Sequence, residues 1–431
     1  MSDYEKILKY LYDLQLFGIK LGLQNIEALL RYLGNPEDHF PSIHIAGTNG
    51  KGSTASMIAS ILTASGYHTG LYTSPHLVDF SERIRINGKK ISTDDIVRYT
   101  KQLKPVIDKS RATFFEATTA IAFQYFADQN VDIAIIETGL GGRWDATNVI
   151  APMLSIITNI GLDHMEYLGN SYSSIALEKS GIIKPFIPCL TGTREPDAVK
   201  CLARSAKTNQ SKLIKINRIV PVKIKKRTFD GLTLDLKTSH SRYNDLFVSL
   251  TGDHQAENAW LSVSAVEYIR HVEGFSKITL ERIRAGLRAV QIYSGLRGRL
   301  DILSRSPLII ADVAHNPAGI EKFVIAVKKL LVGRCTLLFG VMKDKAYGEM
   351  INLLRPLARI AVAVTPKNDR ALDSRILVAE LQKRAISSFN GVSVQKGIDI
   401  AICEKRRNEP IIVLGSNYLV GEVLKLLKIP I

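Results

Sequence analysis

A chain of 431 residues is too long for one ordinary core, so two domains, or three, are expected. With 46% hydrophobic and 23% charged residues and no run of about 18 apolar residues, it reads as a soluble globular protein without a membrane segment. The formal charge of +16 would suit nucleic acid or a polyanionic small substrate, but the basic residues are dispersed and no helix-turn-helix, zinc-finger or RNA-binding signature accompanies them, so no nucleic-acid partner is expected.

The first residues, MSDYEKILKYLYDLQ, mix charge into an amphipathic helical pattern instead of an apolar signal core, which points to the cytoplasm. Cys189, Cys201, Cys335 and Cys403 lie too far apart for a C-x-x-C metal or redox motif. A β-branched run, "PSIHIAG", then breaks into glycines around one lysine and continues as "KGSTASMIASILTASG". Strand, glycine loop and helix in that order line up backbone N–H groups at a helix N-terminus, where the dipole favours an anion. Ile45 stands where the pattern G-x-x-x-x-G-K-[ST] has its first glycine, and Gly52 separates Lys51 from Ser53, so the loop is a variant. A tight turn without a ligand is the plainer alternative.

The runs "HTGLYTS", "VDIAIIETG" and "MLSIITNIG" read as further strands, with helices such as "FFEATTAIAFQYFADQ" between them, which predicts a parallel sheet covered on both faces. Lys212 to Leu250 changes to polar and apolar alternation around "FDG", the pattern of a hairpin with one wet face. Helices resume from His254 to about Val290. After "YSGLRGR", whose glycines suit a hinge, "PLIIADVA", "CTLLFGV", "RIAVAVT", "GVSVQK" and "PIIVLGS" restart the β/α alternation. The expected architecture is α/β: a P-loop parallel-sheet ATPase domain over residues 1–296, then a smaller Rossmann-like α/β domain over residues 297–431.

Ligands of open parallel sheets bind beyond the carboxyl ends of the strands. Four polar strand ends qualify: the glycine loop with Lys51, Ser74 in "YTSPHL", Glu137 in "IIETGLGG", and Asp163 with His164 in "NIGLDHMEYLG". Magnesium takes oxygen ligands, usually one or two protein groups plus nucleotide phosphates, and Ser74 and Glu137 could supply them. Taken singly, a Ser-Pro is a turn and a strand-end Glu is a solvated rim residue. Convergence on one phosphate loop favours the site.

The motifs "HIAGTNGKGS", "YTSPHLVDFSERIRING", "FFEATTAIAF", "IETGLGGRWDATN", "NIGLDHMEYLG", "IALEKSGIIK", "DVAHNPAG" and "VLGSNYLVGEV" occur in the order found in folylpolyglutamate and dihydrofolate synthases. The chain thus resembles the folate branch of the Mur ligase superfamily over roughly Tyr10 to Leu427, without the extra N-terminal domain with which the peptidoglycan Mur ligases bind a uridine nucleotide. The resemblance implies that Gly47, Thr48, Asn49, Gly50, Lys51, Gly52 and Ser53 embrace the phosphates of ATP. It further implies that Ser74, Glu137 and His164 hold magnesium, and that Lys179 carries a carbamate that acts as an anionic ligand; pairing of the plain lysine with phosphate is the alternative. Asn258, Arg299 and Asp312 correspond to nucleotide contacts, and His315 and Ser416 to second-domain residues near the site. For the pterin, the resemblance points to Thr113, Phe114, Phe115, Glu116, Trp144, Asp145 and Ala146, although Phe114 and Phe115 fit helix-core packing equally well.

The implied reaction is ATP-driven addition of L-glutamate to a dihydropteroate or reduced folate carboxylate through an acyl phosphate, by a monomer whose second domain closes over the site. The alternatives are another Mur-type amino-acid ligase and a non-ligase nucleotide-binding ATPase. Under the second, "DVAHNPAG" would have no chemical role.

Overall fold

The computed structural model describes residues 2–18, 20, 22–216 and 222–429. An eight-stranded sheet runs in the order Lys89–Lys90, Ile84–Ile86, Thr69–Tyr72, Ile133–Glu137, Ser42–Ala46, Leu154–Ile157, Cys189–Thr191, Leu213–Lys215. Ile84–Ile86 is antiparallel to both its neighbours and the remaining pairs are parallel. Ser42–Ala46 lies in the middle, fully buried and β-branched, as a strand covered on both faces must be. Its neighbours leave in opposite directions, so the glycine loop emerges at the point where the strand order diverges.

The helix Lys51–Ala64 that follows the loop is buried on nearly all sides, because a second helical layer, His254–Val272, Leu280–Arg288 and Val290–Ser294, covers it. That layer sits close enough for the Ser60 hydroxyl to donate to the Gly286 carbonyl at 2.6 Å. On the other face, Phe114–Asp128 and Thr93–Ser110 pack with the N-terminal helices Asp3–Asp13 and Gln24–Leu33 around Tyr72, Phe80, Phe123 and Phe126.

The hairpin around "FDG" is present as Lys223–Thr228 and Gly231–Lys237, extended by Arg242–Val248 into a three-stranded antiparallel sheet whose Leu232, Leu234 and Leu236 point into the core. Two expectations for this part need adjusting. Leu213–Lys215 does not belong to the hairpin but is the eighth strand of the main sheet, and part of the expected first hairpin strand falls outside the described residues.

A second, six-stranded sheet follows in the order Asp301–Arg305, Leu308–Ala311, Ile411–Leu414, Cys335–Phe339, Ala358–Val364, Ser387–Val392, parallel apart from its first strand. The expectation of a strand at "GVSVQK" is off by several residues: the strand is Ser387–Val392, and Ser393 caps a helix, Val394–Glu404, with its side chain accepting from the Lys396 N–H. A serine before a helical run is an N-cap signal, and it outranks the β-branched valines here.

Loop 75–83 and the tip of the antiparallel sheet bridge the two sheets. Leu77 and Val78 pack into the second body's core, and the backbone of Gly421 comes so close to the Leu77 carbonyl that a Cβ there would lie 1.9 Å from the oxygen. Phe229 inserts into the opposite face of that core, while Asp253 takes Arg227 at 2.7 Å and also pairs with Lys329.

A Cβ on Gly286 would lie 2.5 Å from the Ile61 Cα, so Gly286→Ala should force the two helices apart and destabilise the protein by about 1–3 kcal/mol in denaturant unfolding. An unchanged unfolding midpoint would show that the helix layer tolerates the shift.

Candidate active site

A cavity of about 700 Å³ lies between the carboxyl end of the main sheet and the second body. Its floor is the glycine loop. Gly47 has φ 151° and a Cβ there would meet the Thr158 hydroxyl oxygen at 1.9 Å; Gly50 has φ 85° and would meet Asn258 Oδ1 at 2.5 Å. No side chain fits at either place, so the loop can take this path only with glycine there; Gly50 lines the cavity and Gly47 lies behind it.

Two lysines meet beneath this loop. Lys51 Nζ and Lys179 Nζ each donate to the Gly47 carbonyl oxygen at 3.1 Å. Lys179 is 4% exposed, at the end of the helix Tyr172–Lys179. Burial, and then the Lys51 charge, bring its pKa down to about 7.

Glu137 ends its strand 4% exposed and accepts the Ser74 N–H at 3.1 Å. Burial raises its pKa and Lys51 is the main opposing influence. Gly52 lies beside it: a Cβ there would make ordinary contact with Glu137 Oε2 at 3.5 Å. A buried carboxylate beside a hydroxyl, facing the cavity next to a phosphate-type loop, fits a hard cation that takes few protein oxygens. His164 lies on the cavity rim in the left-handed region at φ 49°, and the protein around it shifts it toward the neutral imidazole.

The second body contributes the roof. His315 Nδ1–H donates to the Val313 carbonyl at 2.8 Å, which leaves Nε2 as the free lone pair. Asn316 donates to Asp163 Oδ2 at 3.2 Å, tying roof to wall. Asp312 accepts the Leu300 and Ala314 N–H groups at 2.9 and 2.8 Å, so both its oxygens hold the turn that carries Arg299. Ser416 caps the helix Asn417–Leu426 by accepting the Leu419 N–H.

On the far wall, Thr113 and Glu116 form a reciprocal capping box, and Glu116 also accepts from Asn25 at 3.3 Å. Phe114 is buried, stacked on Tyr12 and edge-on to Phe80; Phe115 packs over Gly139. Trp144 is 44% exposed, with its ring available to a ligand. Asp145 is held by a relay. The fully buried His44 Nε2–H donates to the Thr147 hydroxyl at 2.8 Å, and that hydroxyl donates to Asp145 Oδ1 at 2.5 Å.

Of the residues expected at the site, Thr48, Asn49, Gly50, Lys51, Gly52, Ser53, Ser74, Thr113, Phe114, Phe115, Glu116, Glu137, Trp144, Asp145, Ala146, His164, Arg299, His315 and Ser416 line the cavity. Gly47, Lys179, Asn258 and Asp312 stand one layer behind it. Sequence reading missed Arg83, Asn316, Lys345 and Arg370, which also line it. "ERIRING" and "DVAHNP" held Arg83 and Asn316 in plain view, whereas Lys345 and Arg370 lie in loops with no motif.

A glycine loop facing a second α/β body across a cleft is the arrangement of an ATP-dependent ligase, and two known domain families match: "Mur ligase middle domain" over residues 45–266 and "Mur ligase, glutamate ligase domain" over residues 298–417. The chain is 35% identical to the dihydrofolate synthase/folylpolyglutamate synthase of Bacillus subtilis, over 99% of this chain and 100% of that one. It is 33% identical to the folylpolyglutamate synthase of Lacticaseibacillus casei, over 98% of each. Its structure is similar to that of Mycobacterium tuberculosis folylpolyglutamate synthase complexed with ADP (TM-score 0.88, 30% identity, 99% of both chains) and to that of E. coli FolC in complex with DHPP and ADP (TM-score 0.86, 26% identity, 98% and 97%). The chain belongs to the folylpolyglutamate/dihydrofolate synthase family of Mur ligases.

Thr147→Val should strand the His44 N–H and remove one hydrogen bond from Asp145, lowering stability by about 1–3 kcal/mol. Urea unfolding of the variant checks this; a loss below about 0.5 kcal/mol would mean that the relay contributes little.

Proposed function

We propose that this enzyme adds L-glutamate to the carboxylate of dihydropteroate or of a reduced folate, spending ATP, and that residues 1–296 and 297–431 act as two bodies hinged at Gly295–Gly298. The observation that carries the residue assignment is the convergence of Lys51 and Glu137 on the floor of a cavity roofed by Arg299, His315 and Asn316, with Lys179 behind the floor on the same carbonyl as Lys51.

The loop Gly47–Ser53 and Lys51 would receive the β- and γ-phosphates, with Arg299 adding charge from the roof. Asn258, seated behind Gly50, would keep the loop in its receptive shape. Ser74, Glu137 and His164 would hold magnesium, which when bound offsets phosphate charge. Phe115 and Trp144 offer ring faces to a flat heterocycle, Phe114 lines the same wall while packed on Tyr12 and Phe80, and Asp145 and Glu116 offer carboxylate acceptors for its N–H groups.

A substrate carboxylate oxygen attacks the γ-phosphorus and the bond to the β-phosphate oxygen breaks, giving ADP and an acyl phosphate. The glutamate amine then attacks the acyl carbon, the carbon–oxygen bond breaks and phosphate departs. The amine's proton has an acceptor in His315 Nε2, whose tautomer the Val313 carbonyl dictates. A roof that excludes water protects the acyl phosphate from hydrolysis.

Lys179 is proposed to react as its carbamate. Its buried amine, with a pKa near 7, exists substantially as the neutral nucleophile; the nitrogen adds to CO₂ and loses a proton, replacing a cation with an anion. That reverses its interaction with Lys51 from repulsion to attraction.

ADP release with glutamate plus dihydropteroate, and separately with glutamate plus tetrahydrofolate, tests the reaction; release that ignores glutamate would sink it. Lys51→Ala should lower the rate about 10³-fold or more with the fold intact by thermal melting. Lys179→Ala should be nearly inactive yet partly rescued by high formate or acetate and not by chloride at equal ionic strength. Retention of most activity in Lys179→Arg would instead assign the lysine as a plain cation on phosphate.

A further inference from the structure

His44 is fully buried in the central strand Ser42–Ala46, and the reaction proposed above makes no use of it. Its Nε2 lies 2.8 Å from the Thr147 hydroxyl oxygen, while its Nδ1 has no hydrogen-bond partner among the described residues. Burial, and then the Lys184 charge, bring its pKa down to about 3, so the ring carries a single proton.

The Thr147 hydroxyl has one proton to place and two partners, His44 Nε2 and, at 2.5 Å, Asp145 Oδ1. Two arrangements satisfy it. In the first, His44 Nε2–H donates to Thr147, Thr147 donates to Asp145, and Asp145 is an ionised carboxylate; what remains over is an unused lone pair on Nδ1. In the second, a protonated Asp145 donates to Thr147, Thr147 donates to His44 Nε2, and the imidazole proton sits on Nδ1, where nothing accepts it. A buried N–H without an acceptor is a rarer defect in folded proteins than an unused acceptor. The empty surroundings of Nδ1 therefore select the first arrangement.

That choice matters because burial pulls the other way, raising the Asp145 pKa. Against burial stand the Thr147 hydroxyl and the Thr147 N–H on Oδ1, the latter at 3.0 Å, and the Leu140 N–H on Oδ2 at 2.8 Å; the Gly139 N–H also favours the charged form. Three hydrogen bonds fill three of the roughly four lone-pair positions of a carboxylate, which leaves one for a ligand in the cavity that Asp145 lines. An ionised carboxylate accepts and cannot donate.

We infer that His44 is a positioning residue that sets ring specificity: by directing the Thr147 proton onto Asp145 it makes Asp145 an acceptor only, so that the site admits a heterocycle edge offering an N–H and rejects one that offers none. The inference rests on the reading of Asp145 as a ring contact and adds the buried residue that dictates its hydrogen-bonding character.

The test measures equilibrium binding to the full-length enzyme by the fluorescence of Trp144, which lines the cavity. The probes are dihydropteroate and its analogue with the ring amino group replaced by methyl, of similar shape but without that donor. Wild type should bind the amino compound about tenfold or more tighter. Thr147→Ser, which keeps the hydroxyl, should hold that ratio within twofold. Thr147→Val, and His44→Gln, whose amide oxygen can draw the Thr147 proton away from Asp145, should each lower it about threefold or more at temperatures well below melting. A relay that only braces the fold would weaken stability and leave the ratio alone, so an unchanged ratio in His44→Gln overturns the inference, as does a wild-type ratio near one. Nitrogen NMR of histidine-labelled enzyme, with the His44 signal assigned by its loss in His44→Gln, reads the relay directly. The Nε2–H tautomer is expected at neutral pH; an Nδ1–H tautomer or a doubly protonated ring would overturn the relay whatever the ligand. Wild type that binds neither compound would overturn the folate reading and with it the ring-edge assignment, whereas binding of both with equal affinity leaves the folate reading standing and removes the role given to His44.

Discussion

Two lysine side chains share one backbone oxygen. Lys51 and Lys179 both donate to the Gly47 carbonyl at 3.1 Å, so their nitrogens lie at most roughly 6 Å apart, where two full charges at an effective dielectric near 20 repel by about 3 kcal/mol. The protein tolerates this only because of what surrounds them: Glu137 beneath, the glycine loop above and a cavity that can receive anions. The loop in turn depends on the central strand Ser42–Ala46, whose burial on both faces fixes where the chain turns. Sheet, loop and charge arrangement are consequences of one another.

The second body matters because the floor is incomplete alone. His315, Arg299 and Asn316 arrive from above, and among the described residues the Asn316 to Asp163 hydrogen bond is what joins them directly to the strand end beside His164. At 3.2 Å this is a hydrogen bond from a neutral amide to a carboxylate, a kind that contributes about 1.5–3 kcal/mol.

Much of this was legible from the residues. The order of strand, glycine loop and helix carries its own physical signature, and so does a polar residue at the end of an apolar run, which is why Lys51, Ser74 and Glu137 could be singled out before any fold was known. Other positions turned out to have local duties that a motif does not announce. Thr113 and Glu116 are a capping box, Asp312 pins a turn, and Asp145 hangs from a hydroxyl oriented by a histidine on the central strand Ser42–Ala46. Lys345 and Arg370 escaped notice because their relevance exists only once two sheets face each other. The strand at Ser387–Val392 was misplaced because valines flanking a serine look β-like until the cap is recognised.

The contact of Gly421 with the Leu77 carbonyl can be seen as the bearing of a machine. Main chain meets main chain with no side chain between, so the fit is set by atoms that substitution elsewhere cannot enlarge or shrink. The clearance is smaller than one methyl group. Loop 75–83 therefore transmits the seating of the helix Asn417–Leu426 to Ser74 at one end and to Arg83 at the other with little play. Substitutions on the surface of this chain leave that joint, and with it the tolerance of the gap between the two bodies, untouched.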